Sequence, residues 1–523
     1  FAARQATQDP VADAYFWETG NDAVDAVTTA SPMAQVSIIR SDYAGLERPV
    51  PTTQALTSAE IQDMVYTAIE TDQDGTSGIA RLSRIIGDKI EAQGTCWVAV
   101  KANIVFEPGQ TYMKGDQTDP RIMGAVLSYL AERTDATRIS LLAGGSYTEH
   151  YGEDDIFTRS VFKNYGRWND FYPDLPEDFT LASMMDALAA DHPEKSFDTI
   201  NLNYNEIMED GRAYNEIPEA ERAALKPLLI PVPEQNGIGA VNTANIRRDG
   251  AYNPTYAVYH SDVLVNVPVM KTTGHTAANC VMKNYVGSVS RGVYAAGRGR
   301  ALNDLDHNQL VHTVMNLFSY HPSDYVVVDA IAGLEGDGSH PKFNGKTGFV
   351  RRNFVLAGGD PGAGEAVAAA RMGFNPNDLA TLRWARAKKL GYFELSRIVI
   401  EGNTLDDVRM DFMHPVDFTP YTAGYYYGRG NTRWLINGMH EGSDLTVEHL
   451  GDEAGMDPEA GDIAGGKTWT VHYSPSSYVD LHKKYDGDTS DRVIYAFTRI
   501  HSEEAQEGEL WVGATKGIEV FLN

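Results

Sequence analysis

Cysteine is nearly missing from this sequence: Cys96 and Cys280 are the only two in 523 residues. Two thiolates are too few for a cysteine-held iron–sulfur cluster or an all-cysteine structural zinc, so neither is expected. Two readings remain for them, a disulfide formed in an oxidising compartment or a pair of buried free thiols. Long apolar runs are missing as well. None approaches the roughly 18 residues of a spanning helix, and the longest strand-like stretches fall at 262–270 and 325–334. No transmembrane segment is therefore expected. Basic residues are scarce, 44 Lys and Arg against 72 Asp and Glu, for a formal net charge of -28. A surface so negative repels phosphate backbones and anionic lipid, which argues against nucleic acid as a partner. The sequence also lacks a Walker loop, a complete dinucleotide fingerprint and a Gly-x-Ser-x-Gly nucleophile elbow.

What remains is ordinary for a globular protein: 42% hydrophobic and 22% charged residues. The length exceeds that at which one core stops growing, about 250–300 residues, so two domains are expected. The chain begins Phe1-Ala2-Ala3-Arg4, which reads like the remainder after removal of a targeting segment or like an ordered boundary; the first reading gives the expectation of an exported, periplasmic or extracellular protein.

Following an N-terminal extension at 1–34, residues 35–402 alternate β-rich runs with helical periodicity. Strands are expected at 35–40, 97–103, 138–143, 198–202, 262–267, 324–329 and 397–400, and helices at 58–70, 79–92, 181–190, 308–320, 364–372 and 379–390, with one more opening at Asp119-Pro120. Helices between strands imply an α/β fold with a mostly parallel sheet and flanking helices. Residues 203–259 break the pattern and read as an insertion over the sheet. From 403 to 523 short aromatic and β-branched runs are separated by turn residues, the pattern of an antiparallel β-sandwich.

Four ordered segments carry a resemblance to a known family. Val98-Ala99-Val100-Lys101-Ala102-Asn103 ends a strand in Lys and Asn, and Thr118-Asp119-Pro120 follows it. The run from Val263 through Pro268 to Lys271 leads into Thr273, Gly274 and His275, then Lys283, Asn284 and Gly287. Val326-Val327-Val328-Asp329 precedes Gly333-Leu334-Glu335-Gly336-Asp337-Gly338, and Gly359-Asp360-Pro361 precedes Glu365-Ala366-Val367 and Met372-Gly373. These blocks resemble the exported branch of the domain of unknown function 362 family. The sequence departs from that pattern at Ala102, where the family usually has Pro, at Ser339, which delays a proline, and at Glu365, where Asp is more common. The resemblance implies an α/β fold with a ligand pocket. The C-terminal run resembles sandwich modules appended to secreted carbohydrate-active and surface proteins, and so implies carbohydrate or a cell surface as a partner.

The residue chemistry suggests what that pocket holds. Lys101 and Lys271 end strands, where open α/β sheets gather ligand groups, and two such lysines favour a small anionic ligand over the alternative of ordinary salt bridges. His275, four residues past Lys271, is placed to act as general base, metal ligand or hydrogen-bond donor, or to fill a structural role. Asn103, Lys283, Asn284 and Glu335 join the binding set. Asp329, Asp337, Asp360 and Glu365 lie at strand ends and in the following loops, and their convergence would suit a divalent metal; Asp360 and Glu365 also read as helix-start carboxylates. Aspartate-rich loops at 72–75 and 486–491 read as turns without full calcium-loop spacing. The expected function is an exported protein that binds a small anion or divalent metal, with Lys271 and His275 as the acid–base pair of any catalysis. The alternative is an extracellular surface or assembly protein that uses its sandwich for interaction.

Overall fold

A computed structural model describes residues 34–73, 78–104, 115–144, 157–162, 166–222, 224–231, 251–273, 276–289, 310–336, 347–374, 390–393, 395–408, 433–473, 481–485, 489–499 and 517–521, with isolated positions between 376 and 412. Contacts divide the chain into two compact units, Ala30–Ala423 and a second that includes Gly424–Asn523.

The first unit opens with strands β1 (Ala34–Arg40), β2 (Trp97–Ala102), β3 (Arg138–Ala143) and β4 (Ser196–Asn201) alternating with helices α1 (Ser58–Thr71), α2 (Arg81–Gln93), α3 (Pro120–Arg133) and α4 (Leu181–Asp191). Local chemistry sets these boundaries. Thr57 and Glu60 form a capping box at the start of α1, whose Ile61, Met64, Val65, Ala68 and Ile69 recur at helical spacing and are buried. Asp119 caps α3 by accepting from the Arg121 backbone, and Pro120 takes a first-turn position that needs no N–H. The chain continues through β5 (Val263–Val267), β6 (Val269–Thr273), β7 (Ala277–Asn279), α5 (Leu310–Tyr320), β8 (Tyr325–Gly336), β9 (Thr347–Gly358), α6 (Pro361–Arg371) and β10 (Ile398–Gly402).

The strands form one sheet in the order β10-β1-β9-β8-β5-β2-β3-β4, with β6 beside β8 and β7 beside β6. Along that path every pairing is parallel except the two made by β9. The sheet is mixed but mostly parallel, as the α/β reading of the sequence expects, and it gains one strand, β9, in the stretch before Asp360, where the sequence pattern suggests none. Arg351, Arg352 and Asn353 interrupt the apolar alternation there, and the β8–β9 register shifts at the same place, with Asn353 at φ 51. Such a bulge hides a strand from a two-residue period.

Alternation divides the sheet's faces. Val98, Val100, Ala102, Val263, Val265 and Val267 join the core formed with α1 to α4, which leaves Lys101 and Asn266 on the opposite face. There Gly364 of α6 lies against Val326. Among the described positions residues 203–259 contain short helices, isolated bridges and the two-residue strand pair Ile230–Pro231 and Ala251–Tyr252, and the Thr255 hydroxyl ties them to the turn after β7 by donating to the Ser288 carbonyl at 2.9 Å.

In the second unit Arg433–Glu441 runs between Thr470–Tyr473 and Arg492–Phe497 in a three-stranded antiparallel sheet. Ile463–Ala464 and Lys467–Thr468 pair as a short hairpin. Residues 517–521 carry no strand, although the sequence suggests one at 518–522, and the run at 510–512 lies outside the described residues. Among the described residues, no helix is long and apolar enough to cross a membrane.

Candidate functional site

The C-terminal ends of β2 and β5 bring the first group of side chains together. Lys101 and Asn266 are register neighbours in a parallel pair and so project from the same face. Asn284, in the turn Lys283–Tyr285, links them: its Nδ2 donates to Asn266 Oδ1 at 2.6 Å and to the Lys101 carbonyl at 3.1 Å. Asn266 Nδ2 donates in turn to the Val281 carbonyl at 2.8 Å. All three residues are buried, and the amides fix one another's orientation.

Lys101 stands out in this group. Its Nζ donates to two neutral oxygens, Asn284 Oδ1 at 3.5 Å and the Val286 carbonyl at 3.4 Å. Burial, reinforced by the neighbouring Lys283, pulls its ammonium down from the usual lysine range to about 7. Beyond it the chain makes a close backbone approach. Gly287, at φ +90, lies so near Gly144 that a Cβ on it would come within 2.4 Å of the Gly144 carbonyl oxygen. Only glycine meets both demands.

Lys271 belongs to a second group. Its buried ammonium donates to the Asp116 carbonyl, reaches the Asp116 carboxylate at 3.5 Å and Asn103 Oδ1 at 3.4 Å. Burial lowers its proton affinity while Asp116 raises it. Thr118 locks the same segment, its hydroxyl donating to the Val267 carbonyl at 2.7 Å and accepting the Asn103 N–H at 3.0 Å. Lys271 thus makes the buried salt bridge that was the alternative to ligand binding.

Asp329, Asp360 and Glu365, three of the carboxylates singled out from sequence, have different hydrogen-bond partners. Asp329 Oδ2 accepts the Asp119 N–H at 2.7 Å and Oδ1 the Ile331 N–H at 3.1 Å; burial and the charge of Asp119 push it up to about 7. Asp360 caps α6, accepting the Ala363 N–H at 2.8 Å, and burial raises it. Glu365 is buried on α6, where its Oε2 accepts the Met282 N–H at 3.2 Å, and burial pushes it to about 7. Glu335 is half-buried on β8, within electrostatic reach of Arg352. His275 and Asp337 lie outside the described residues. Among the described residues no group of three or more His, Cys, Asp or Glu is arranged to hold a metal ion. Cys96 and Cys280 are buried free thiols, and burial pushes the Cys280 thiol well above its ordinary range.

Sequence reasoning passed over Asp116 and Asn266. Asn266 did leave a signal, a single amide within the apolar run Val263–Val267. Asp116 left none, since its pairing depends on a contact 155 residues away.

Residues 250–370 match the family model described as a domain of unknown function (DUF362). That span contains β5 to β9 and most of α6, with Asn266, Lys271, Lys283, Asn284, Asp329 and Glu365, while Lys101 and Asp116 precede it. No curated protein matches the chain.

Proposed function

We propose that the α/β unit binds a small anionic ligand at the C-terminal ends of β2 and β5, with Lys101 and Lys283 supplying the charge. One observation carries this reading: Lys101 is a buried ammonium with a second lysine beside it, and among the described residues only neutral oxygens, at 3.4 and 3.5 Å, accept its hydrogen bonds. A buried cation without a counter-charge costs several kcal/mol, and a bound anion offsets that cost. The separate hydrogen-bond partners of Asp329, Asp360 and Glu365 favour an anion over a divalent cation. Because the Lys101 amine is close to half-protonated near pH 7, it is the better candidate for acid–base work than Lys271, which Asp116 already holds. His275, just past β6, keeps its proposed place as general base.

Sulfate, whose charge is constant across the relevant pH range, is a suitable probe. Calorimetric titration of the full chain should show binding that takes up protons and weakens as pH rises from 6.5 to 8.5, because the neutral amine attracts no anion. Lys101→Met should weaken it by roughly tenfold or more. Undiminished sulfate binding by the Met variant would refute the assignment.

For the second unit we propose a sandwich-type module that attaches an exported protein to carbohydrate or a cell surface. Its antiparallel three-stranded sheet and the acidic composition of the chain support that reading. Retention on insoluble polysaccharide by the full chain, lost when 424–523 are removed, is the expected result; equal retention of both proteins would end it.

A further inference from the structure

A separate cleft of about 240 Å³ opens between the loop before α1, the segment after Tyr172, and the paired strands β8 and β9. Neither Lys101, Lys271, Lys283 nor Asn284 lines it. Most of its charges are matched within the wall. Arg121 donates to both Asp119 oxygens at 3.0 and 2.7 Å and to Asp174 at 3.1 Å. Asp329 accepts two backbone N–H groups. Arg351 differs: it lines the cleft half-buried, and its guanidinium makes no hydrogen bond or ion pair with any described residue.

The surroundings of Arg351 are shaped to leave it room. Ala332 lies directly opposite it in the β8–β9 register, so a methyl group stands where a larger side chain would cover the guanidinium. Phe349, two residues back on the same face, is 40% exposed, and Ile331 and Leu56 extend the apolar wall. The bulge at Asn353 braces the far side. Its Nδ2 donates to the carbonyls of Thr52 and Gln54 at 2.9 and 2.6 Å, pinning the loop that delivers Leu56.

We infer that this cleft binds a small monocarboxylate with an apolar, planar body, the carboxylate on the Arg351 fork and the body against Phe349 and Ile331. An arginine presents paired N–H groups that match a carboxylate's two oxygens. The formal charges of Arg121 and Arg351 offset those of Asp119 and Asp174, and Asp329 tips the wall toward negative. A dianion such as phosphate therefore meets repulsion that a monoanion largely escapes. The volume lies below the usual range for drug-sized ligands, about 300–1,000 Å³, which limits the body to about one ring.

The test uses the full chain with benzoate as probe, followed by calorimetry or ligand-observed NMR, with benzyl alcohol as one control and, as the other, phosphate measured on the Lys101→Met protein, in which the sulfate site is disabled. Benzoate should bind and both controls should bind at least tenfold more weakly. Arg351→Gln should weaken benzoate by roughly 10- to 100-fold. Ala332→Leu, which fills the space beside the guanidinium, should do the same, each variant keeping the parent's melting temperature. Lys101→Met should leave benzoate binding unchanged, so this site and the sulfate site stand or fall separately. The inference is overturned by absence of benzoate binding, by phosphate binding the Lys101→Met protein as tightly as benzoate does, or by undiminished benzoate binding in a folded Arg351→Gln protein.

Discussion

Lys271 and Asp116 face each other inside the fold, ammonium to carboxylate at 3.5 Å, with 1% and 9% of their side chains exposed. Both groups have left water, so removing one strands the other. Lys271→Met should lower the unfolding free energy by about 3–5 kcal/mol. Adding Asp116→Asn to that variant should recover part of the loss, because no uncompensated charge then remains. Denaturant melts of the two single variants and the double variant check this, and strictly additive losses would contradict a coupled pair.

Glu365 gives stability a pH dependence of known sign. Burial raises its carboxyl from 4.5 to about 7, against relief from the Met282 and Val281 N–H groups. Between those values the folded chain holds a proton that the unfolded chain has released. The stability from this group is thus complete below pH 4.5 and is lost as pH rises toward 7. Glu365→Gln should flatten that slope and exceed the parent at pH 8 by roughly 1–3 kcal/mol. Urea melts at pH 5 and pH 8 decide, since an equal difference between the two proteins at both pH values would rule out the titration.

Asn284 is the hub of the amide network. Asn284→Ala removes its bonds to Asn266 Oδ1 at 2.6 Å and the Lys101 carbonyl at 3.1 Å, leaving buried acceptors unmet at a cost of about 2–3 kcal/mol. In that background Asn266→Ala should cost less than it does in the parent, because part of what it destroys is already gone. A double-mutant cycle showing no coupling would disprove the network.

Asn353 does two jobs that substitution can separate. It holds φ 51 and it donates to the carbonyls of Thr52 and Gln54. Glycine accepts the backbone conformation and loses the bonds; alanine loses the bonds and keeps the strain. The expected order of melting temperature is parent, then Asn353→Gly, then Asn353→Ala, with about 1 kcal/mol between the last two. An alanine variant that melts with or above the glycine variant would mean the turn is unstrained.

The elements that sequence reveals most clearly are those whose local chemistry agrees with their packing. Helix α3 announces itself through Asp119-Pro120, and strand β3 through an uninterrupted β-rich run. Strand β9 stays hidden because three polar residues at a bulge break its period, although tertiary pairing on both sides holds it in place. The candidate site is legible to a similar degree. Lys101 meets Asn284 and Lys271 meets Asn103, two pairs in two groups where strand ends and the following turn suggest one. Whether each lysine meets a carboxylate depends on contacts between distant segments, and no spacing encodes that: Lys271 finds Asp116 and Lys101 finds an amide.

The one reversed strand on the path has a further consequence, for the order in which the sheet is completed. In that path β1 and β10 reach the parallel strands only through β9, with Ser37 paired to Ala357 across 320 positions of sequence. The earliest described strand therefore emerges from the ribosome long before its neighbour exists, and its edge groups wait unpaired until residues 347–358 follow. Contacts of such sequence separation slow folding. A chain stopped just short of residue 347 would lose three strands from the path, the last two and the first.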